Sequence, residues 1–551
     1  MRRPSSPGPH KSTASVEATP LLAPQSEGLA SYTSLRDQPK PKPVTWASLP
    51  KKGQLAVIVL ARLAEPLSER SLTSYLFYQL KWFNPDLPAS EIAKQYGLLT
   101  ATFAAAQCIT SMWWGFAADS PLLGRKRVLL IGLFGSAISA LGMGFSRSLS
   151  LAFFFRFLVG ALNGNIVVLR TMVSEVVVER RFQSRAFLLL PMCFNVGVII
   201  GPLLSGFLAD PIHSMSNIFG PGSFVGGADG VQWMAKFPYA LPNIASAIFL
   251  VMSAMLIILG LDETHPELRH QPDPGRQLGR AIVRLFKGSS EPDVAYEAIP
   301  RDDPATPRDS HLIGDEEDAR AAEPEAKPST PFRAIFTLNV CLSLFQRFLL
   351  AMHVSAFSTI FFTLLPTPKE DSRSFDLPFR FSGGLGLSSK SIGLANTTIG
   401  MIGIPLQVLL YPLLSGRLGA RKSYLVFLPL SIVAYCLLPY LVLLPADNTA
   451  LVWTSLSAVL VLLVTSRTFV TPATMMLVND CAPSPTLLGT VHGLSSSIAS
   501  SARIMGPTVG GAMLGWGLGH NFVALPLWIL SIVAVANWAV LLWIKDLDMD
   551  E

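Results

Sequence analysis

Twelve apolar spans, with the same punctuation recurring in both halves of the chain, constrain this sequence more than any single residue does. The first half reads WWGFAADSPLLGRKRVLL, then FFFRFLVGALNGN, then NVGVIIGPLLSGFL. The second answers in the same order with YPLLSGRLGARKSYLV, LVTSRTFVTPATMM and SSARIMGPTVGGAML. A duplicated six-span bundle implies a secondary transporter, with a substrate cavity between the copies.

Half of the 551 residues are hydrophobic and 15% are charged. A soluble domain carries roughly 25% charged residues, so the pattern belongs to a membrane. A helix needs about 20 apolar residues to cross ~30 Å of hydrocarbon. The spans are read at 54–80, 96–118, 127–146, 150–176, 186–209, 238–261, 335–365, 390–414, 423–444, 451–477, 488–515 and 521–544. The expected fold class is an all-α integral membrane protein, twelve transmembrane helices in two six-helix bundles. The expected domains are a disordered tail at 1–52, bundles at 53–262 and 334–545, a central loop at 263–333 and a C-terminal tail at 546–551.

Lys and Arg in short loops set orientation. Arg125, Lys126 and Arg127 follow span 2; Arg180, Arg181 and Arg185 follow span 4; Arg417, Arg421 and Lys422 follow span 8. With the basic tail before span 1, they place both termini in the cytosol. The net charge of +6 is thus a topology signal, and no nucleic-acid partner is expected. Cys108, Cys193, Cys341 and Cys436 fall inside spans and Cys481 near the end of span 10, as packing residues rather than disulfides or metal ligands.

Two segments lie outside the bilayer. In the tail, EATPLL (Glu17, Leu21 and Leu22) fits the acidic dileucine pattern read by sorting adaptors. It is either a vacuolar or endosomal address or a chance match. In the central loop, GRQLGRAIVRLFKG places Leu278, Ile282 and Leu285 on one helical face, beside Arg276, Arg280, Arg284 and Lys287. Such a helix can lie on the anionic leaflet.

A charge near the bilayer centre costs roughly 2.5–3.5 kcal/mol, so it should face a cavity or a partner. Span 1 holds Arg62, Glu65 and Glu69 on one face, with Pro66 expected to bend the helix there. Arg62 and Glu65 can pair, and Glu65 is the first choice for proton coupling. Asn163 and Asn195 offer amides to a substrate or a facing helix. The second half offers Gln346, His353, Gln407, Arg467 and Arg503, with His353 a rival proton carrier.

Together RLAEPL, NGN, PYALPN, DETHP and FSGGLGLSS, in order, resemble the major facilitator superfamily over 53–545. Within it the chain is similar to the twelve-span drug:proton antiporter branch, and to a fungal group related to zinc-induced-facilitator proteins. The resemblance implies a conformational latch from Gly115, Asp119, Gly124, Arg125 and Lys126, with two residues more than the usual spacing before Gly124. Topogenic charge alone would explain Arg125 and Lys126 but not Asp119 or the glycines. The family's antiporter motif falls on Gly197, Gly201, Pro202 and Gly206, echoed by Gly506 and Pro507. Small residues there permit close helix contact, and each proline would bend its helix. Arg156 matches an arginine thought to assist proton transfer in relatives, and Arg467 occupies its place in the second half.

The motif implies proton-coupled antiport of a small organic molecule by alternating access, at the plasma or vacuolar membrane. Uptake or uniport of an organic acid, sugar or metal chelate, and a non-transporting receptor on the same fold, stay open. No P-loop, Ser/His/Asp or His-Glu-x-x-His arrangement is present, so no enzyme is expected. The energy source would be a proton gradient with no cofactor and no metal. The expected partners are a small-molecule substrate, the lipid bilayer and a sorting adaptor, for a monomeric protein.

Overall fold

The computed structural model describes residues 48–287, 336–370, 376–445, 447–481 and 488–544. Glu17, Leu21 and Leu22 lie outside them. Among the described residues the chain is helical, with isolated bridges and no longer strand. Twelve membrane-length rods follow the expected order. Spans 2, 3, 5, 6 and 7 are Ala89–Asp119, Gly124–Gly144, Arg180–Leu208, Ala240–Gly260 and Leu338–Leu364. Spans 10, 11 and 12 are Thr449–Asp480, Leu488–Gly519 and Ala524–Trp543. Eight rods are long and apolar enough to cross a membrane by composition alone. Spans 1, 2, 5 and 11 are not among the eight, span 5 being apolar enough only over Met192–Leu208. Spans 4, 7, 8 and 10 start where Ser148, Thr337, Ser388 and Asn448 accept from N–H groups of Leu151, Val340, Ser391 and Leu451, which satisfies helix-end donors.

Four rods depart from plain helices. Span 1 runs as Lys52–Ser71, a tight turn at Leu72–Ser74, then Leu76–Phe83. The helix is continuous through Pro66 and breaks one turn later. Its hydrogen bonds explain why, since Ser205 of span 5 donates to the Ser71 carbonyl at 2.8 Å and meets the Ser74 hydroxyl at 2.7 Å. Span 4 is not continuous either, but two pieces, Leu149–Ala161 and Asn165–Val176. The Trp114 indole donates to the freed Ala161 carbonyl at 2.7 Å. Span 8 is Ser389–Pro405 followed by a wide π turn at Leu406–Leu410. Helix then continues as Tyr411–Leu437, kinked at Gly419, where φ is 70°, and a 3-10 turn at Leu438–Leu443 completes span 9.

The two copies of the glycine motif build the packing in the same way. In span 5, β-carbons added to Gly197 would sit 2.8 Å from Pro66 of span 1, and Gly201 faces the Leu67 carbonyl. In span 11, Gly506 and Gly510 face Met352 and Ala356 carbonyls of span 7, each at 2.8 Å. One turn further, each motif reaches the other half. A β-carbon on Gly206 would lie 2.5 Å from the Ser389 carbonyl, and one on Gly393 2.6 Å from that of Pro202. Gly511 likewise stands 2.6 Å from the Ala93 carbonyl, and Gly97 faces that of Pro507. Both helices run through Pro202 and Pro507 without a break.

These seams lie at the end opposite the basic loops. Around them one apolar core draws on both halves, including Leu80, Tyr96, Phe361, Phe381 and Leu514. The Tyr78 hydroxyl also donates to the Leu387 carbonyl across the halves. Met401, Met505 and Arg503, near the middle of their spans, stay exposed, and the closest glycine contacts between the halves are at the end opposite the basic loops.

Gly115 of the latch pattern makes no close helix contact: a β-carbon there would meet nothing within 4 Å. Gly511→Val should therefore lower stability by about 1–3 kcal/mol. Gly115→Ala should be neutral or stabilising by up to about 1 kcal/mol. Melting of both variants in detergent checks the contrast; equal losses would put the seam elsewhere.

Candidate functional site

Glu65 and Arg62 stand one turn apart on span 1, and the Arg62 guanidinium donates to the Glu65 carboxylate at 2.6 Å. Both are largely shielded, with side chains 11% and 6% exposed, which makes each the other's required counter-charge. The break in span 4 brings Asn163 against the same carboxylate.

A cavity of about 40 Å³ opens beside the pair, lined by Glu65, Glu69, Ser139, Arg156, Asn163 and Asn243. At about 10–15 Å³ per water centre, it has room for a few water molecules. Arg156 forms one wall, stacked 4.7 Å from the Phe103 ring centre and donating to the Leu99 carbonyl at 3.4 Å. Glu69 belongs to this pocket, although its motif context gave it no role; its signal was the bare presence of a second carboxylate on the Glu65 face. Its neighbour Arg70 instead lies over the Phe194 ring at 5.6 Å. Adjacent helical residues do not face each other.

The remaining sequence candidates fall into three places. Asn195 donates to Gln407 at 2.6 Å, joining span 5 to the π turn of span 8 across the halves. His353 is buried in the second half, where its Nδ1 meets the Tyr435 hydroxyl at 3.0 Å. Arg467 lies 5.1 Å from the Phe357 ring centre, with Nη2 3.5 Å from the Val354 carbonyl. Gln346, two turns before His353, is buried with both amide atoms unpartnered. Arg503 is exposed beside Ser500. The structure does not bring His353, Gln346, Arg467 or Arg503 to the Glu65 pocket. Although Arg156 and Arg467 occupy matching places in the repeat, the first grips span 2 and the second span 7.

The latch residues gather more partners than their motif shows. Arg125 is 3.3 Å from Asp119 but 2.7 Å from Glu175 at the end of span 4. Asp119 is 70% exposed, so Glu175 is the firmer partner. Gly124 adopts a φ of 69°, open to glycine at little cost. That turn aims the next two N–H groups at Glu263, at 3.2 Å for Arg125 and 2.9 Å for Lys126. A carboxylate at a helix N-terminus meets both orphan donors and the dipole. Lys126 donates to Asp273 at 2.5 Å and to the Ile258 carbonyl at 2.9 Å. Partial burial alone would raise the Asp273 carboxyl, but Lys126 and the N–H groups of Arg276 and Gly275 hold it below its ordinary value. Glu263 and Asp273 were hidden from local motif reading because they pair with residues far away in sequence.

Among the described residues no group of acidic, His and Cys side chains could hold a metal.

The sequence profile described as Major Facilitator Superfamily matches residues 72–507. The chain is 31% identical over 527 residues to the major facilitator superfamily multidrug transporter mfsB of Aspergillus fumigatus, covering 91% of this chain and 84% of that one. It is 23% identical to the ZINC INDUCED FACILITATOR 1 protein of Arabidopsis thaliana, covering 84% of each. Its backbone matches the human organic anion transporter MFSD10 with a TM-score of 0.52 at 17% identity, covering 89% of this chain and 99% of that one. At that identity the likeness shows a shared fold alone.

Two outcomes test the site's supports. Trp114→Phe leaves the Ala161 carbonyl without its donor and should cost about 1–3 kcal/mol in unfolding measurements. Asp273→Asn removes a carboxylate that stabilises only while ionised. The stability gap to wild type should hold from about pH 8 to about pH 5 and close as pH falls below about 4. Unfolding followed across that pH range reads the sign directly.

Proposed function

The chain belongs to the major facilitator superfamily, and from that premise we propose that it exchanges protons for a small organic molecule, exporting or sequestering it by alternating access. Membership makes it a multi-pass membrane transporter and not an enzyme. One observation carries the finer reading: a carboxylate paired with arginine inside a water-sized pocket of the first bundle. Glu65 is the proton carrier in this scheme. Arg62 favours its ionised form, while low dielectric favours its protonated form, so a small shift of the pair changes which one dominates. Asn163 and Arg156 complete the pocket wall.

Alternating access then uses the two seams as the closed gate. In the described state they seal the end opposite the basic loops, and the Asn195–Gln407 pair marks the floor of the open side. The basic end is cytosolic in this reading, with the latch at Arg125 and Lys126 tightening or loosening as the halves rock. An amphiphilic molecule is the substrate class in this reading. The name of the Aspergillus relative, a multidrug transporter, supports export at the plasma or vacuolar membrane. The protein acts as a monomer and draws on the proton gradient.

Purified protein in sealed vesicles with an imposed pH gradient tests the scheme, with tetracycline and lipophilic cations as probes. Wild type should drive a probe uphill. Glu65→Gln should reduce uphill transport to the level of empty vesicles while probe-for-probe exchange persists. Normal uphill transport by Glu65→Gln would move the proton site to another residue, and gradient-independent flux by wild type would make the protein a uniporter.

A further inference from the structure

Two rows of arginine cross from one half of the protein to the other. In the first, Arg170 of span 4 stands close enough to Arg62 of span 1 and Arg503 of span 11 for both charges to act on it. Arg503 acts in turn on Arg347 of span 7. In the second, the charge of Arg70 on span 1 reaches both Arg156 of span 4 and Arg467 of span 10. Aromatic faces hold several of these side chains in place. Arg62 and Arg70 share the Phe194 ring, 5.9 and 5.6 Å from its centre, while Arg467 lies over Phe357. Arg170 and Arg503 lie inside their spans and are exposed. Because their charges meet across the halves, that exposure is toward the space between them and not toward lipid.

Carboxylates do not match these cations. Glu65 is paired with Arg62, and Glu69 acts on Arg156. Among the described residues Arg70, Arg170, Arg347, Arg467 and Arg503 make no ion pair. The Nε–H groups of Arg70, Arg347 and Arg467 are shielded from solvent and meet no acceptor there. A guanidinium cannot shed its charge by losing a proton, and an unpaired charge at membrane depth is costly. Fixed cations around one cleft focus their field on an incoming anion. The planar guanidinium fork also meets the oxygens of a carboxylate, sulfonate or phosphate in pairs.

We propose that the space between the halves is an organic-anion site, with Arg170, Arg347 and Arg503 as the residues that select negative charge. Arg62 stays with Glu65, so the anion site is separate from the coupling pair. The inference deepens the proposed exchange by giving the charge of its substrate, and rests on that reading for the transport path.

Equilibrium binding to the full-length protein in phosphatidylcholine nanodiscs, with no pH gradient, tests it. The probes are two dyes on one xanthene skeleton, anionic fluorescein and cationic rhodamine 123. Wild type should bind fluorescein at least about tenfold more tightly than rhodamine 123, a preference that shrinks as salt rises. Arg347→Gln and Arg503→Gln should each weaken fluorescein about fivefold and leave rhodamine 123 unchanged or tighter. Arg503→Lys should restore most of the affinity, since the charge is kept. Wild type that binds the dyes equally, prefers rhodamine 123 or binds neither would overturn the proposal, whatever the variants do. So would unchanged fluorescein affinity in both Gln variants. Displacement of fluorescein by phosphatidylglycerol in the disc would also overturn it, giving the arginines to lipid headgroups. Displacement by inorganic phosphate at equal ionic strength would do the same, giving them to a small inorganic ion. Failure here leaves proton exchange at Glu65 standing, because uphill transport in sealed vesicles reads that separately. Fluorescein binding without uphill transport would keep the anion site and overturn the exchange.

Discussion

Contact of backbone on backbone at glycine is the constraint on which this architecture rests. In lipid there is little hydrophobic gain from helix association, so packing must come from close approach and dispersion. Gly206 against Ser389 and Gly511 against Ala93 bring the two halves together where any side chain would hold them apart. Their neighbours Gly201 and Gly510 bind each motif helix to the first span of its own half. Each motif helix is therefore both a wall of its bundle and a lip of the shared gate. A single repeated pattern performs both tasks because its small residues occur on two adjoining faces.

Symmetry of packing does not extend to charge. The first half gathers Glu65, Glu69 and Arg156 around a water-sized pocket, with Arg62 paired to Glu65. The second half gathers His353, Tyr435 and Arg467 in a cluster without a carboxylate among the described residues. Duplication preserved the glycines, whose role is steric and the same in both places. The ionisable side chains diverged, the carboxylates Glu65 and Glu69 lining a pocket of the first half.

Much of the fold was legible because a run of about 20 apolar residues has few alternatives to a spanning helix. Glu65 and Arg62 were legible for a related reason: charge in that setting must serve or be paired. Helix breaks were less accessible. Pro66 advertised a bend that Gly197 and Ser205 displaced to Leu72–Ser74, a result of tertiary packing rather than local propensity. The interruption at Leu162–Gly164 depends on Trp114, an indole on a different span. Glu263 and Asp273 bond across 138 and 147 residues to the start of span 3, a pairing with no local periodicity. Gly115 shows the converse, a motif glycine with open space around it.

The gap in span 4 has a mechanical consequence. Its first piece is fixed to span 2 through Arg156, and its second is tied at the far end to Arg125 through Glu175. Between them, Leu162–Gly164 forms a joint, with the Trp114 indole as its pin. Tilting the loop after span 2 would swing the second piece as a short lever while Arg156 remains in place. Asn163, sitting in the joint, would turn toward or away from Glu65. A disturbance at the rim of the molecule would thus arrive at the Glu65 pocket as the rotation of one amide.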